Sequence, residues 1–118
     1  VPSEAFELVK EGLFEVVNLP GGTAFSSRSK RTVISGKTGT VQVRRFSDIT
    51  TVKCAELEPK YRHHGWFVGY APRENPEIVV VAIAEHACSG HSTAPIVHDV
   101  IEAYFGNKAI QVGEATIQ

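Results

Sequence analysis

Two apolar runs joined by a five-residue prolyl turn constrain this chain most. "GWFVGYAP", Gly65 to Pro72, reads as a short aromatic strand, and "EIVVVAIAEHA", Glu77 to Ala87, reads as a nearly continuous apolar strand. Between them, "PRENP", Pro72 to Pro76, is a turn. A parallel pair needs a crossover of about a dozen residues or more, so this turn forces the two strands antiparallel. A run as apolar as Ile78 to Ala84 is expected to be covered on both faces and to have neighbours on both edges.

The segments on either side supply the other layers. In residues 3–18, Phe6, Val9, Leu13, Val16 and Val17 recur at helical spacing and predict an amphipathic helix. Ser3 suits its N-cap, Glu4 and Glu7 suit the positive end of its dipole, and Asn18 and Pro20-Gly21-Gly22 end it. Residues 23–31 are polar and basic and read as a loop. From Arg31 to Arg45 the period becomes two, with Val33, Ser35, Lys37, Gly39, Val41 and Val43 on one face. Residues 46–63 form a long connection without a clear period. After the loop "CSGHS", residues 93–106 predict a last helix. Pro95 lies in its first turn, Gly106 just past its end, and Ile96, Val97, Val100, Ile101, Tyr104 and Phe105 form its buried stripe. Residues 107–118 read as a flexible C-terminal tail. The fold class is therefore α+β: a three-stranded antiparallel meander flanked by an N-terminal and a C-terminal helix.

The first strand carries the chemistry. "VISGKTGTVQV", Val33 to Val43, contains Gly36-Lys37-Thr38, the end of a phosphate-binding loop. That loop needs a glycine five residues before Gly36 and a helix starting at the lysine. The earlier position is Arg31, and the residues after Lys37 alternate as a strand, so both requirements fail. Lys-Thr-Gly on a strand is instead the third signature of serine β-lactamases and penicillin-binding proteins. Here it belongs to a longer series: "GTA" at Gly22 to Ala24, "SGKTGT-x-Q" at Ser35 to Gln42, "HGWFVGYAP" at His64 to Pro72, "PEIVVVAIAEH" at Pro76 to His86, and "AP" opening the last helix. In this order the motifs resemble the class B penicillin-binding proteins, most closely the penicillin-binding protein 2 branch of the elongation machinery, over roughly residues 1–106.

The resemblance implies a fragment of the serine β-lactamase/transpeptidase-like fold: the C-terminal portion of a D-Ala–D-Ala transpeptidase domain. The family's reaction uses Ser-x-x-Lys at a helix start, Ser-x-Asn or Ser-x-Asp on a loop, and Lys-Thr-Gly on a strand. Only the third is carried convincingly by this chain. The resemblance makes Lys37 a cation beside the serine and the substrate carboxylate, and gives Thr38 and Thr40 hydroxyls for that carboxylate. It makes the Thr40 N–H half of the oxyanion hole. Gly36 and Gly39 complete the substrate strand, Gly39 letting substrate backbone approach closely. Ser27-Arg28-Ser29-Lys30 also spells Ser-x-x-Lys, but in a polar loop and only a few residues upstream of Lys-Thr-Gly, so it reads as a decoy. The fragment alone is expected to be inactive and not to be labelled by penicillin.

The implied partners are the peptidoglycan stem peptide, β-lactams, the remainder of the transpeptidase domain and elongation-complex proteins, with no cofactor. The implied location is the periplasm, the parent being anchored in the inner membrane by an N-terminal helix not contained in this sequence. The start at Val1 and the lack of any Met suit an excised piece. In the family's sheet the strand 77–87 has a further neighbour that this sequence lacks. Its open edge predicts an edge-paired or swapped oligomer, or a second chain that completes the domain. The net charge of −1 gives no basic field for nucleic acid. Rival readings are a penicillin-sensing domain, a β-lactamase-like domain, and a metal module built on His86, Cys88 and His91 with His63 and His64. That set meets no standard zinc spacing. Whether Cys54 and Cys88 form a bridge stays open, because the deciding Cα separation is not in the sequence.

Overall fold

A computed structural model of the protein describes residues 1–43 and 52–117, with side chains through Lys108. Its elements run α1 (Ser3–Asn18), β1 (Ser35–Val41), β2 (His64–Ala71), β3 (Ile78–Ala84) and α2 (Ala94–Ile117), with short single turns of 3₁₀ helix in the connections. The strands form one antiparallel sheet in the order β1-β2-β3. The α+β meander with flanking helices is therefore the observed fold.

Alternation along β2 sets the layers. Gly65, Phe67, Gly69 and Ala71 are buried, and a side chain at Gly69 would run into Val97 of α2, so this face carries α2. The core is Val17, Ala24, Ile34, Phe67, Ala71, Ala94, Val97 and Ile101. On the opposite face, Tyr70 and Val79 line an open apolar groove of about 370 Å³ together with Phe6, Val9 and Leu13 of α1.

Several boundaries and exposures differ from the sequence expectations. Helix α1 begins at Ser3 itself: Pro2 takes the N-cap position and no side chain caps it, so Ser3 is not the cap. The helix ends at Asn18, whose amide donates to the carbonyls of Phe14 (2.9 Å) and Ile34 (2.8 Å), tying the helix end to the segment leading into β1. Strand β1 starts at Ser35 rather than Arg31. The Ser29 hydroxyl accepts the N–H groups of Arg31 and Thr32 and turns the chain there, while the Arg31 guanidinium pairs with Glu102 at 2.7 Å. Arg44, Arg45 and the first part of the expected long connection, residues 46–51, lie outside the described residues.

Helix α2 does not end before Gly106 but continues to Ile117. A glycine within a helix costs only about 1 kcal/mol, and Gly106 lacks the positive φ that a terminating glycine takes. Its expected stripe is also narrower. Val97 and Ile101 are buried and Phe105 packs beside them, whereas Ile96, Val100 and Tyr104 are exposed, because a three-stranded sheet covers only one line of the helix. The largest departure is the covering of β3. Among the described residues it is an edge strand, as the missing neighbour implies, but the expected cover on both faces is absent there: Val79, Val81 and Ile83 are 65%, 58% and 66% exposed on the face away from α2.

Candidate active site

Strand β1 is the other edge of the sheet, which leaves one side of its backbone unpaired among the described residues. Along it Lys37 and Thr40 are exposed, and Thr38 and Gly39 are half-buried. An ammonium and two hydroxyls lie within four consecutive residues of an accessible edge. The Lys37 ammonium donates to the Thr38 carbonyl at 2.9 Å, which uses one of its three protons. The hydroxyls of Thr38 and Thr23 are hydrogen-bonded to each other at 3.2 Å. Thr23 and Lys37 share the rim of an open hollow with Gly12, Glu15 and Gly22.

The two glycines of the motif are explained by packing within the chain. Gly39 pairs with Trp66, and a Cβ at Gly39 would lie 2.1 Å from Trp66 Cε2 and 2.2 Å from its Nε1. The space a side chain would take is filled by the indole rather than held open for substrate. Gly36 is buried, and a Cβ there would lie 2.4 Å from the Val68 carbonyl oxygen and 2.5 Å from the Phe67 ring. It therefore stands behind the exposed edge and packs against the core.

A second loop reaches the same strand from behind. After β3 the backbone turns at His86 and Cys88, both with positive φ, and enters residues 88–92. A Cβ on Gly90 would collide with the carbonyl oxygen of Trp66 (2.1 Å) and with the backbone oxygen and nitrogen of Gly39 (2.8 and 2.9 Å). Cys88 is bonded to Cys54, with the Cα atoms 5.7 Å apart, which answers the question left open by sequence. The sulfur that a metal module would need is in that bridge, and no cluster of three His, Cys, Asp or Glu side chains among the described residues is arranged to hold an ion.

Sequence reading missed three contributors. Local pattern marks Trp66 only as a strand aromatic; cross-strand register sets it against Gly39. Thr23 stood in the "GTA" motif without a role. His91, in the polar loop, donates its Nδ1–H to the Thr23 carbonyl at 2.8 Å. The decoy serine behaves as expected: Ser27 is only 7% exposed, and the chain leaves helical geometry at Arg28, so Ser27 and Lys30 do not share a helix turn. Ser29 instead hydrogen-bonds Glu102 of α2.

Residues 1–102 match the family model of the penicillin binding protein transpeptidase domain. The chain belongs to that family. It is 37% identical over 112 residues to the peptidoglycan D,D-transpeptidase MrdA of Haemophilus influenzae, covering 92% of this chain and 17% of that protein. The MrdA of Acinetobacter baumannii is 33% identical, covering 80% and 14%. Among solved structures, Pseudomonas aeruginosa PBP2 in complex with WCK 5153 superposes with a TM-score of 0.67 at 32% identity, covering 87% of this chain and 20% of that one. The Helicobacter pylori PBP2 in its complex with MreC gives a TM-score of 0.68 at 26% identity, covering 88% and 18%. The chain thus spans less than a fifth of the length of the curated relatives it matches.

Proposed function

We propose that this chain is the C-terminal wall of the active site of a peptidoglycan D,D-transpeptidase. The observation that carries the reading is the edge strand Ser35–Val41, which carries Lys37, Thr38 and Thr40 within four consecutive residues in a chain of this family. A serine from another part of the domain attacks the carbonyl of the penultimate D-Ala. The terminal D-Ala leaves with a proton, and an amine of a neighbouring stem peptide then attacks the acyl-serine and regenerates the hydroxyl. In this scheme Lys37 holds its charge beside the serine and the carboxylate. Thr38 and Thr40 donate hydroxyl protons to the carboxylate of the peptide or of a β-lactam. The Thr40 N–H stabilises the oxyanion with a second N–H from the serine's own segment.

The exposed Val79, Val81 and Ile83, and the edge of β3 that is unpaired among the described residues, support the fragment reading. An apolar face next to an open edge is a surface for the remainder of the domain, and in its absence for a second copy of this chain. The relatives' names and the PBP2–MreC complex support elongation-complex proteins as partners of the parent. They also fit a periplasmic parent held by a membrane anchor outside residues 1–118. Among the described residues, no helix is long and apolar enough to cross a membrane.

The test uses the full-length protein and a fluorescent penicillin. Lys37→Ala is expected to lower the acylation rate by about a hundredfold or more, the usual loss when an electrostatic contact to the reacting centre is removed. Acylation of that variant at the wild-type rate would overturn the proposal.

A further inference from the structure

Residues 85–92 are tied to the residues leading into β2 and lie against the Lys-Thr-Gly strand. The His86 N–H donates to His64 Nδ1 at 2.9 Å, and the His86 ring nitrogen Nδ1 donates to the Arg62 carbonyl at 3.0 Å. The Cys88 N–H donates to the His63 carbonyl at 2.9 Å, and its sulfur is bonded to Cys54. His86 and Cys88 are non-glycine residues in the left-handed region, so this path is held by its contacts rather than by backbone preference. The loop then seats Gly90 on the backbone of Gly39 and carries His91 to the Thr23 carbonyl.

We propose that His91 is a positioning residue for the substrate strand, acting through Thr23 on Thr38, and that the Cys54–Cys88 bridge keeps it in place. The inference rests on the reading of Thr38 as a carboxylate-binding hydroxyl. A threonine hydroxyl has one proton and can also accept. When Thr23 donates to Thr38, the Thr38 proton is free for a substrate carboxylate. When Thr23 is displaced, Thr38 loses the partner that fixes its rotor. His91 holds Thr23 at this distance by donating to its carbonyl, and the 2.8 and 3.2 Å contacts form a continuous line from the loop to the edge strand.

The experiment compares acylation of the full-length protein by a fluorescent penicillin with a free carboxylate and by its methyl ester. His91→Leu is expected to slow the carboxylate probe by about fivefold to tenfold, the worth of one neutral hydrogen bond, and to leave the ester rate unchanged. His91→Asn should restore most of the rate, because its amide nitrogen lies as many bonds from the backbone as Nδ1. The paired Cys54→Ala and Cys88→Ala variant should show the same selective loss as His91→Leu. Equal slowing of both probes, or an unchanged ratio in His91→Leu, would overturn the positioning role. An unchanged ratio in the cysteine pair would overturn the part assigned to the bridge. Thr38→Ala separates the two levels. If it keeps the carboxylate preference, the underlying reading of Thr38 fails whatever His91 does. If it loses that preference while His91→Leu keeps it, only the inference about His91 fails.

Discussion

Gly39→Ala isolates the role of the motif glycine. The added Cβ would sit 2.1 Å from Trp66 Cε2, 2.2 Å from Nε1 and 2.6 Å from Cζ2. Carbon atoms in contact rest about 3.5–4.0 Å apart, so the indole or the strand must retreat by roughly 1.5 Å. Overpacking of this kind costs about 1–3 kcal/mol. Alanine's lower unfolded-chain entropy returns about 0.5–1 kcal/mol, which leaves a net loss of up to about 2.5 kcal/mol. Urea unfolding of four proteins measures it: wild type, Gly39→Ala, Trp66→Ala and the double variant. With the indole gone, Gly39→Ala should be neutral or slightly stabilising, so the cycle should return a coupling of about 1–3 kcal/mol. An equal cost in both backgrounds, with coupling under about 0.5 kcal/mol, would refute the packing explanation and return Gly39 to a purely substrate-facing role.

Three further outcomes follow from separate features. Reducing the Cys54–Cys88 bridge frees a loop with a sequence separation of 34. The chain-entropy relation then gives a loss of about 4 kcal/mol, read as a lower urea midpoint in the presence of reductant; an unchanged midpoint would contradict it. The Ser35 hydroxyl is fully buried and has no hydrogen-bond partner among the described residues, so Ser35→Ala should stabilise this chain by about 1 kcal/mol, and a loss of that size would show a hidden partner. The Lys108 ammonium donates to Glu77 at 2.6 Å, and that hydrogen bond raises its pKa. A raised folded-state pKa means the contribution is complete below the ordinary lysine value of about 10.4 and is lost as pH rises through the folded value. Glu77→Gln should therefore alter the pH dependence of stability attributable to this pair only in the alkaline range; a Lys108-linked change between pH 6 and 8 would contradict the assignment.

The elements and their order were legible because each carries its own local signal. The helical spacing ending at Val16 and Val17, the alternation through Lys37, and the Pro72–Pro76 turn each determine an element without help from the rest. What was not legible depends on contacts between distant residues. The placement of Trp66 against Gly39 is a matter of register across two strands. The Thr23–Thr38 and His91–Thr23 contacts join residues 15 and 68 positions apart. The Cys54–Cys88 pairing depended on a Cα distance that only the fold supplies. The continuation of α2 past Gly106 reflects how small the penalty of one helical glycine is beside the hydrogen bonds around it. The coverage of β3 failed as an expectation for another reason. Its apolar run fits a strand inside a larger sheet, and this chain exposes both a face and an edge of it.

The central claim is that this chain supplies a substrate-binding strand to a nucleophile carried elsewhere. Peptide mapping after labelling with a fluorescent penicillin tests it most directly, using the full-length protein beside this chain alone. The account predicts one acylated serine in the full-length protein, outside residues 1–118, and no label on this chain. Label on Ser27, or on any serine of this chain, would contradict it.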